Sequence, residues 1–132
     1  MLDTNIVIYF IKNKPASVAG RINGLESKAR LCMSFVTYAE LLKGAERSVR
    51  KAAVLRDLEK LVMLIPVFYE ASPALCAHYA YQAARLKAMG TLIGGNDLWI
   101  ACHALAEDMV LVTNNTAEFE RIEGLRLENW AD

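Results

Sequence analysis

Three acids and a carboxamide occupy the positions where chemistry could collect in this chain: Asp3, Glu40, Asp97 and Asn115. Asp3 follows the apolar pair Met1-Leu2, Glu40 lies in a helical stretch after Leu31–Ser34, Asp97 follows the breaker Gly94-Gly95, and Asn115 follows the apolar run Met109–Val112. Singly, each has an ordinary explanation. Asp3 and Asp97 sit where Asp caps helices, Glu40 suits a solvated helix face, and Asn115 suits a turn. Their surroundings ask for more. At 100° per residue Glu40 shares a helix face with Val36 and with Gly44, a poor setting for a solvated carboxylate and one where Gly44 leaves room for another backbone. Asp97 heads a stripe of Ala101, Ala104 and Leu105, a seam suited to packing on a sheet, which places its carboxylate at the mouth of the core. If Asp3, Glu40 and Asp97 meet within about 4 Å, each ionised pair repels by roughly 4 kcal/mol at an effective dielectric of about 20. Three such pairs cost about 12 kcal/mol, comparable with a domain's whole stability of roughly 5–15 kcal/mol. Such a cluster must take up protons or a cation. An all-oxygen donor set selects hard ions, so Mg²⁺ or Mn²⁺ is the expected occupant.

The elements that must position these groups follow from local signals. Met1-Leu2 reads as the end of a strand, and Asp3-Thr4-Asn5 starts a helix through Ile6–Ile11. Pro15-Ala16-Ser17 opens a second helix to about Leu25, with Pro15 in its first turn. Leu31–Ser34 reads as a buried strand, followed by helices over 36–47 and from 49 to about 62. Met63–Val67 reads as a short strand placed near an edge by Pro66. A long Ala-rich helix is expected over 73–89 and another over 96–107. Met109–Val112 is a buried strand, Thr113–Thr116 turns it into a short helix, and Leu125–Leu127 is a last edge strand. Strands alternating with helices predict an α/β fold in one domain over residues 1–132, a mostly parallel sheet of four to five strands with helices on both faces. In such sheets ligands bind beyond the strand ends, where the four polar residues stand.

Composition narrows the function classes. The 132 residues are 55% hydrophobic and 23% charged, which suits one folded domain and excludes a disordered chain. Fifteen basic residues balance fifteen acidic ones, so bulk positive charge does not hold a partner. The balance hides a polarity: residues 1–60 carry eleven basic and six acidic side chains, and residues 61–132 carry four and nine. One half can hold a polyanion while the other adds carboxylates. Cys32, Cys76 and Cys102 are odd in number, widely spaced and without zinc-ligand spacing, which predicts reduced thiols and a cytoplasmic protein. No apolar run reaches the roughly 18 residues that a membrane span needs.

Four segments in series, Leu2-Asp3-Thr4-Asn5, Ser34–Ala45, Gly94–Ala104 and Leu111–Asn115, resemble the PIN-domain ribonucleases and, within them, the VapC toxins of bacterial toxin–antitoxin pairs. The tail from Glu118-Phe119 through Trp130 is of the same type. The resemblance implies that Asp3, Glu40 and Asp97 are the metal-binding acids. A fourth position, often Asp in the family, falls on Asn115, and Glu118 or Glu120 could compensate for the lost charge. Thr4, Asn5, Ser34, Asn96 and Thr113 match polar positions that line the site or hold its acids in place. The resemblance also implies a homodimer, a VapB-type antitoxin and an RNA substrate, a tRNA in many members.

The reaction expected is metal-dependent hydrolysis of RNA phosphodiesters, one acid accepting a proton from the attacking water. Lys43 and Arg47 share a helix with Glu40 and are the basic residues best placed to contact RNA. Two alternatives compete. A catalytically silent binding module would keep the fold and the partner surface, a reading that Asn115 leaves open. An aspartate-nucleophile phosphatase needs a second Asp two residues after the first, where this chain has Asn5. His78 and His103 have no partnered nucleophile and read as structural, and Tyr69, Tyr79, Tyr81, Trp99 and Trp130 read as packing or interface residues.

Overall fold

A computed structural model describes residues 1–25 and 30–131. Seven helices carry most of the ordered backbone among these residues: α1 (Thr4–Lys12), α2 (Ala16–Asn23), α3 (Phe35–Glu46), α4 (Lys51–Leu64), α5 (Pro73–Met89), α6 (Gly95–Ala106) and α7 (Thr116–Phe119). Local chemistry explains their ends. The Asp3 carboxylate accepts the Thr4 N–H at the start of α1, and Ser34 accepts the Val36 N–H at the start of α3. Ser72 caps α5 with Pro73 in its first turn, and Gly90, at φ +66°, ends it in the left-handed conformation that a side chain disfavours. Pro15 stands one position earlier than expected, capping α2 from outside.

Among the described residues, four two-residue strands, β1 (Met33–Ser34), β2 (Val67–Phe68), β3 (Leu111–Val112) and β4 (Leu127–Glu128), form two parallel pairs, β1 with β2 and β3 with β4. The α/β class and parallel pairing agree with the sequence reading, and the paired segments are only two residues long. The N-terminal residues join the two pairs: Leu2 makes a parallel bridge to Val112 and donates its N–H to Cys32 O at 2.8 Å. The expected strand at Met63–Val67 is also displaced. Met63 and Leu64 complete the last turn of α4, and extended pairing begins only after Pro66, whose carbonyl accepts the Met33 N–H at 2.9 Å.

Successive strand residues point to opposite faces, and here that period divides the core in two. Met1, Cys32 and Leu111 pack with α5, α6 and α7 through Leu75, Leu86, Ile100, Ala101 and Phe119. Leu2, Met33 and Val112 pack on the other side with α1, α2, α3 and α4, through Ile6, Val7, Val18, Leu41 and Leu61. Helices therefore cover both faces of the strands. Gly44 does not admit a close backbone: it is exposed, and a Cβ built on it meets nothing within 4 Å. Among the described residues, no helix is long and apolar enough to cross a membrane. Asp3, the start of α3 and Thr113 all follow directly on strand residues, which gathers them at one end of the molecule.

Candidate active site

Asp3 is only 4% exposed although it carries a carboxylate. Its oxygens are held by two donors, the Thr4 N–H and the Thr113 hydroxyl, each at 2.8 Å. Burial raises its pKa above the ordinary value, the hydrogen bonds from Thr113 and Thr4 oppose the rise, and nearby Glu40 and Glu118 add to it. Glu40 is half-buried on α3, and the Thr4 hydroxyl donates to its Oε1 at 2.7 Å. Thr4 Oγ1 also lies 3.1 Å from Thr37 Oγ1. One residue, Thr4, thus ties the first acid to the second, its N–H on Asp3 and its hydroxyl on Glu40.

Asp97 lies in the first turn of α6, half-buried. Its pKa is pushed up to about 7, first by burial and then by the charges of Asp3 and Glu118, with Glu40 adding a smaller share. The fourth member of this group is Glu118 on α7. Its Oε1 accepts the Gly94 N–H at 3.1 Å, and its Oε2 accepts the Asn115 amide at 2.6 Å. Those donors, the Gly94 N–H foremost, hold the Glu118 carboxyl below its usual range, whereas the neighbouring Asp97 carboxyl is raised. Both carboxyls flank one glycine: a Cβ on Gly94 would lie 3.7 Å from Asp97 Oδ2 and 3.9 Å from Glu118 Oε1.

The fold thus brings Asp3, Glu40 and Asp97 into one electrostatic neighbourhood with Glu118, one of the three residues considered for the fourth position. Asn115 donates to an acid, Glu118 is that acid, and Glu120 is exposed at the end of α7. The i,i+3 spacing of Asn115 and Glu118 across a helix start was the available signal. Thr4 and Thr113 hold acids as expected. Ser34 does not reach them: it caps α3 and lies 2.8 Å from Nδ1 of buried His103, a pairing the sequence did not reveal. Asn5 is exposed on α1. Asn96 and Lys43 are exposed and line a cavity of about 490 Å³ beside Glu40, whereas Arg47, at the end of α3, does not line it. A further link came only with the fold, from the Asn114 amide to the Tyr9 hydroxyl at 3.0 Å.

Among the described residues, no group of three or more His, Cys, Asp or Glu side chains stands in position to hold a metal ion. The closure to about 4 Å considered above is therefore not met. What is present is an all-oxygen set in which Glu40 and Glu118 raise the proton affinity of Asp3 and Asp97, and which has no Lys or Arg ion-pair partner among the described residues. That donor chemistry fits a hard divalent cation.

Comparison with known proteins gives the same reading over the whole chain. The PIN domain family matches residues 1–125. Ribonuclease VapC1 of Haemophilus influenzae is 48% identical over 130 residues, spanning 98% of this chain and 96% of that protein. The tRNA(fMet)-specific endonuclease VapC of Shigella flexneri is 45% identical over 132 residues, spanning 99% and 97%. The solved structure of VapBC-1 from nontypeable Haemophilus influenzae superposes with a TM-score of 0.93 at 47% identity, over 100% of this chain and 98% of that one. With its four acids gathered at the strand ends and this likeness along its full length, the chain belongs to the PIN-domain family, alongside the VapC ribonucleases.

Proposed function

We propose that this protein is a metal-dependent endoribonuclease toxin that hydrolyses phosphodiester bonds of a tRNA and is restrained by a VapB-type antitoxin. The observation that carries the reading is the placement of Asp97 among Asp3, Glu118 and Glu40, which drives its pKa to about 7. A fold that gathers like charges at a cost in stability does so for what they bind. The likeness to a tRNA(fMet)-specific endonuclease supports tRNA as the substrate class, and the likeness to a VapBC complex supports the partner. A homodimer remains part of the proposal.

Asp3, Glu40, Asp97 and Glu118 would hold the ion, here Mg²⁺ or Mn²⁺, by closing up from where they stand. When bound it supplies neutralising charge at the scissile phosphate and lowers the pKa of an attacking water. The chain's own groups do the rest. Thr113 and Thr4 fix Asp3 and oppose the rise in its proton affinity, Thr4 fixes Glu40, and Gly94 and Asn115 fix Glu118. Lys43 offers a cation to the RNA backbone from the turn of α3 next to Glu40.

The test is incubation of purified, antitoxin-free protein with total tRNA in Mg²⁺ or Mn²⁺ and then in EDTA, alongside Asp3→Ala and Asp97→Ala. Cleavage that needs the metal and both acids is the expected result. Metal-independent cleavage, or full activity in both folded variants, rejects the mechanism.

A further inference from the structure

We propose that the cavity beside Glu40 is a nucleoside subsite that receives the unpaired base flanking the scissile phosphate, an inference that rests on the ribonuclease reading above. The cavity holds about 490 Å³, within the usual size range of small-ligand sites. It shares Glu40 with the acid cluster, so a phosphate at the acids leaves its neighbouring nucleoside at the cavity mouth.

The lining suits a flat, apolar-faced ring with polar edges. Phe35, Val36, Leu75 and Trp99 supply apolar wall. Trp99, two residues from Asp97, is held by stacking on Tyr79, with ring centroids 3.8 Å apart and planes 12° apart. A ring already fixed loses little freedom when a base packs against it. Beside Glu40 the lining offers two further polar groups suited to a nucleotide: Asn96, whose amide both donates and accepts as a base edge requires, and Lys43, a cation for the adjoining phosphate. Single-stranded RNA is read in this way, by bases splayed onto aromatic side chains and bonded along their edges.

Cys76 adds a reporter. It is exposed and lines the same cavity, while Cys32 and Cys102 are buried. The experiment uses the full chain and an RNA oligonucleotide spanning the mapped cut, with single abasic residues placed in turn at each position around the cut. One flanking abasic position is expected to lower kcat/KM by about 5- to 100-fold, the range that loss of one base–aromatic contact produces. That penalty is expected to shrink to less than about twofold in Trp99→Leu or, should that variant not fold, in exposed Asn96→Ala. In the Asp97→Asn protein the intact oligonucleotide is expected to slow alkylation of Cys76, and the abasic one to leave the rate unchanged. Equal cleavage of all abasic substrates, an abasic penalty that survives both variants, or alkylation indifferent to RNA overturns the subsite while leaving the nuclease intact. A change of oligomeric state in Trp99→Leu with the abasic penalty preserved assigns the cavity to contact between copies and also overturns it. Absence of cleavage on every RNA rejects the ribonuclease reading and the subsite with it.

Discussion

Acidic residues occur in two opposite settings in this protein. On the surface, Glu46, Asp108, Glu123 and Glu128 face Lys51, Arg126, Arg85 and Arg21 at 2.8–3.5 Å. At the strand ends, Asp3, Glu40, Asp97 and Glu118 face one another and are held by hydroxyls, an amide and backbone N–H groups instead of cations. Opposite charges in water gain little and cost little. Like charges drawn out of water cost a great deal unless something arrives to neutralise them. The site is therefore the part of the molecule whose energetics depend on a ligand, and the surface pairs are the part whose energetics hardly depend on anything.

That contrast can be broken most sharply at Asp97. Asp97→Asn is expected to lower the rate of RNA cleavage by about 10²-fold or more, and at pH 8 without metal to raise the midpoint of thermal unfolding because a repelled charge is gone. A variant that loses both activity and stability would place Asp97 with ordinary structural acids.

Thr113→Val removes a donor from a buried carboxylate while keeping the side chain's shape. It is expected to cost about 1.5–3 kcal/mol in urea unfolding at pH 7, and to raise the pKa of Asp3 further as followed by carboxyl NMR. No change in either would mean the hydroxyl is not holding the acid.

A pH series separates the two settings without mutation. Asp97 has its pKa raised to about 7 in the folded chain, against about 3.9 in the unfolded chain. Between these values the folded state binds more protons, so metal-free stability falls as pH rises from about 4 through 7. Asp3, also raised, acts in the same direction. Saturating Mg²⁺ is expected to flatten that fall, and chemical denaturation at pH 5 and pH 8 with and without the ion measures it. A metal-free stability that rises across this window contradicts the repulsion.

The smallest effect belongs to the surface. Glu46→Gln breaks the exposed pair with Lys51 and is expected to change stability by less than about 1 kcal/mol and cleavage not at all. A larger loss would remove the distinction between the two settings.

Much of this arrangement was legible in the chain before any fold. Asp3, Thr4 and Asn5 announce a helix start, and the helix expected over 73–89 forms with those bounds. Asp3 and Asp97 stand out because one follows a strand and the other opens a helix, and Glu40 because it shares a helix face with Val36. The strand at Met63–Val67 was misplaced because an apolar run next to Pro66 carries no period that separates a helix's last turn from a short strand. The lengths of the paired segments were not legible for a related reason: apolar runs mark burial, whereas pairing depends on where neighbouring backbones lie.

Residue types, caps and spacings were local properties, decided by the chain within a few positions, and the sequence alone determined them. The hydrogen bond from Asn115 to Glu118 beside the other acids, the contact between Ser34 and His103, and the grouping of Lys43, Asn96 and Trp99 around one cavity were decided only by tertiary structure. Thr113 reaches Asp3 across 110 positions of sequence. Hydrogen bonds and charge repulsion act over a few ångströms of space, and no spacing along a chain says which distant residues the folded backbone will bring that close.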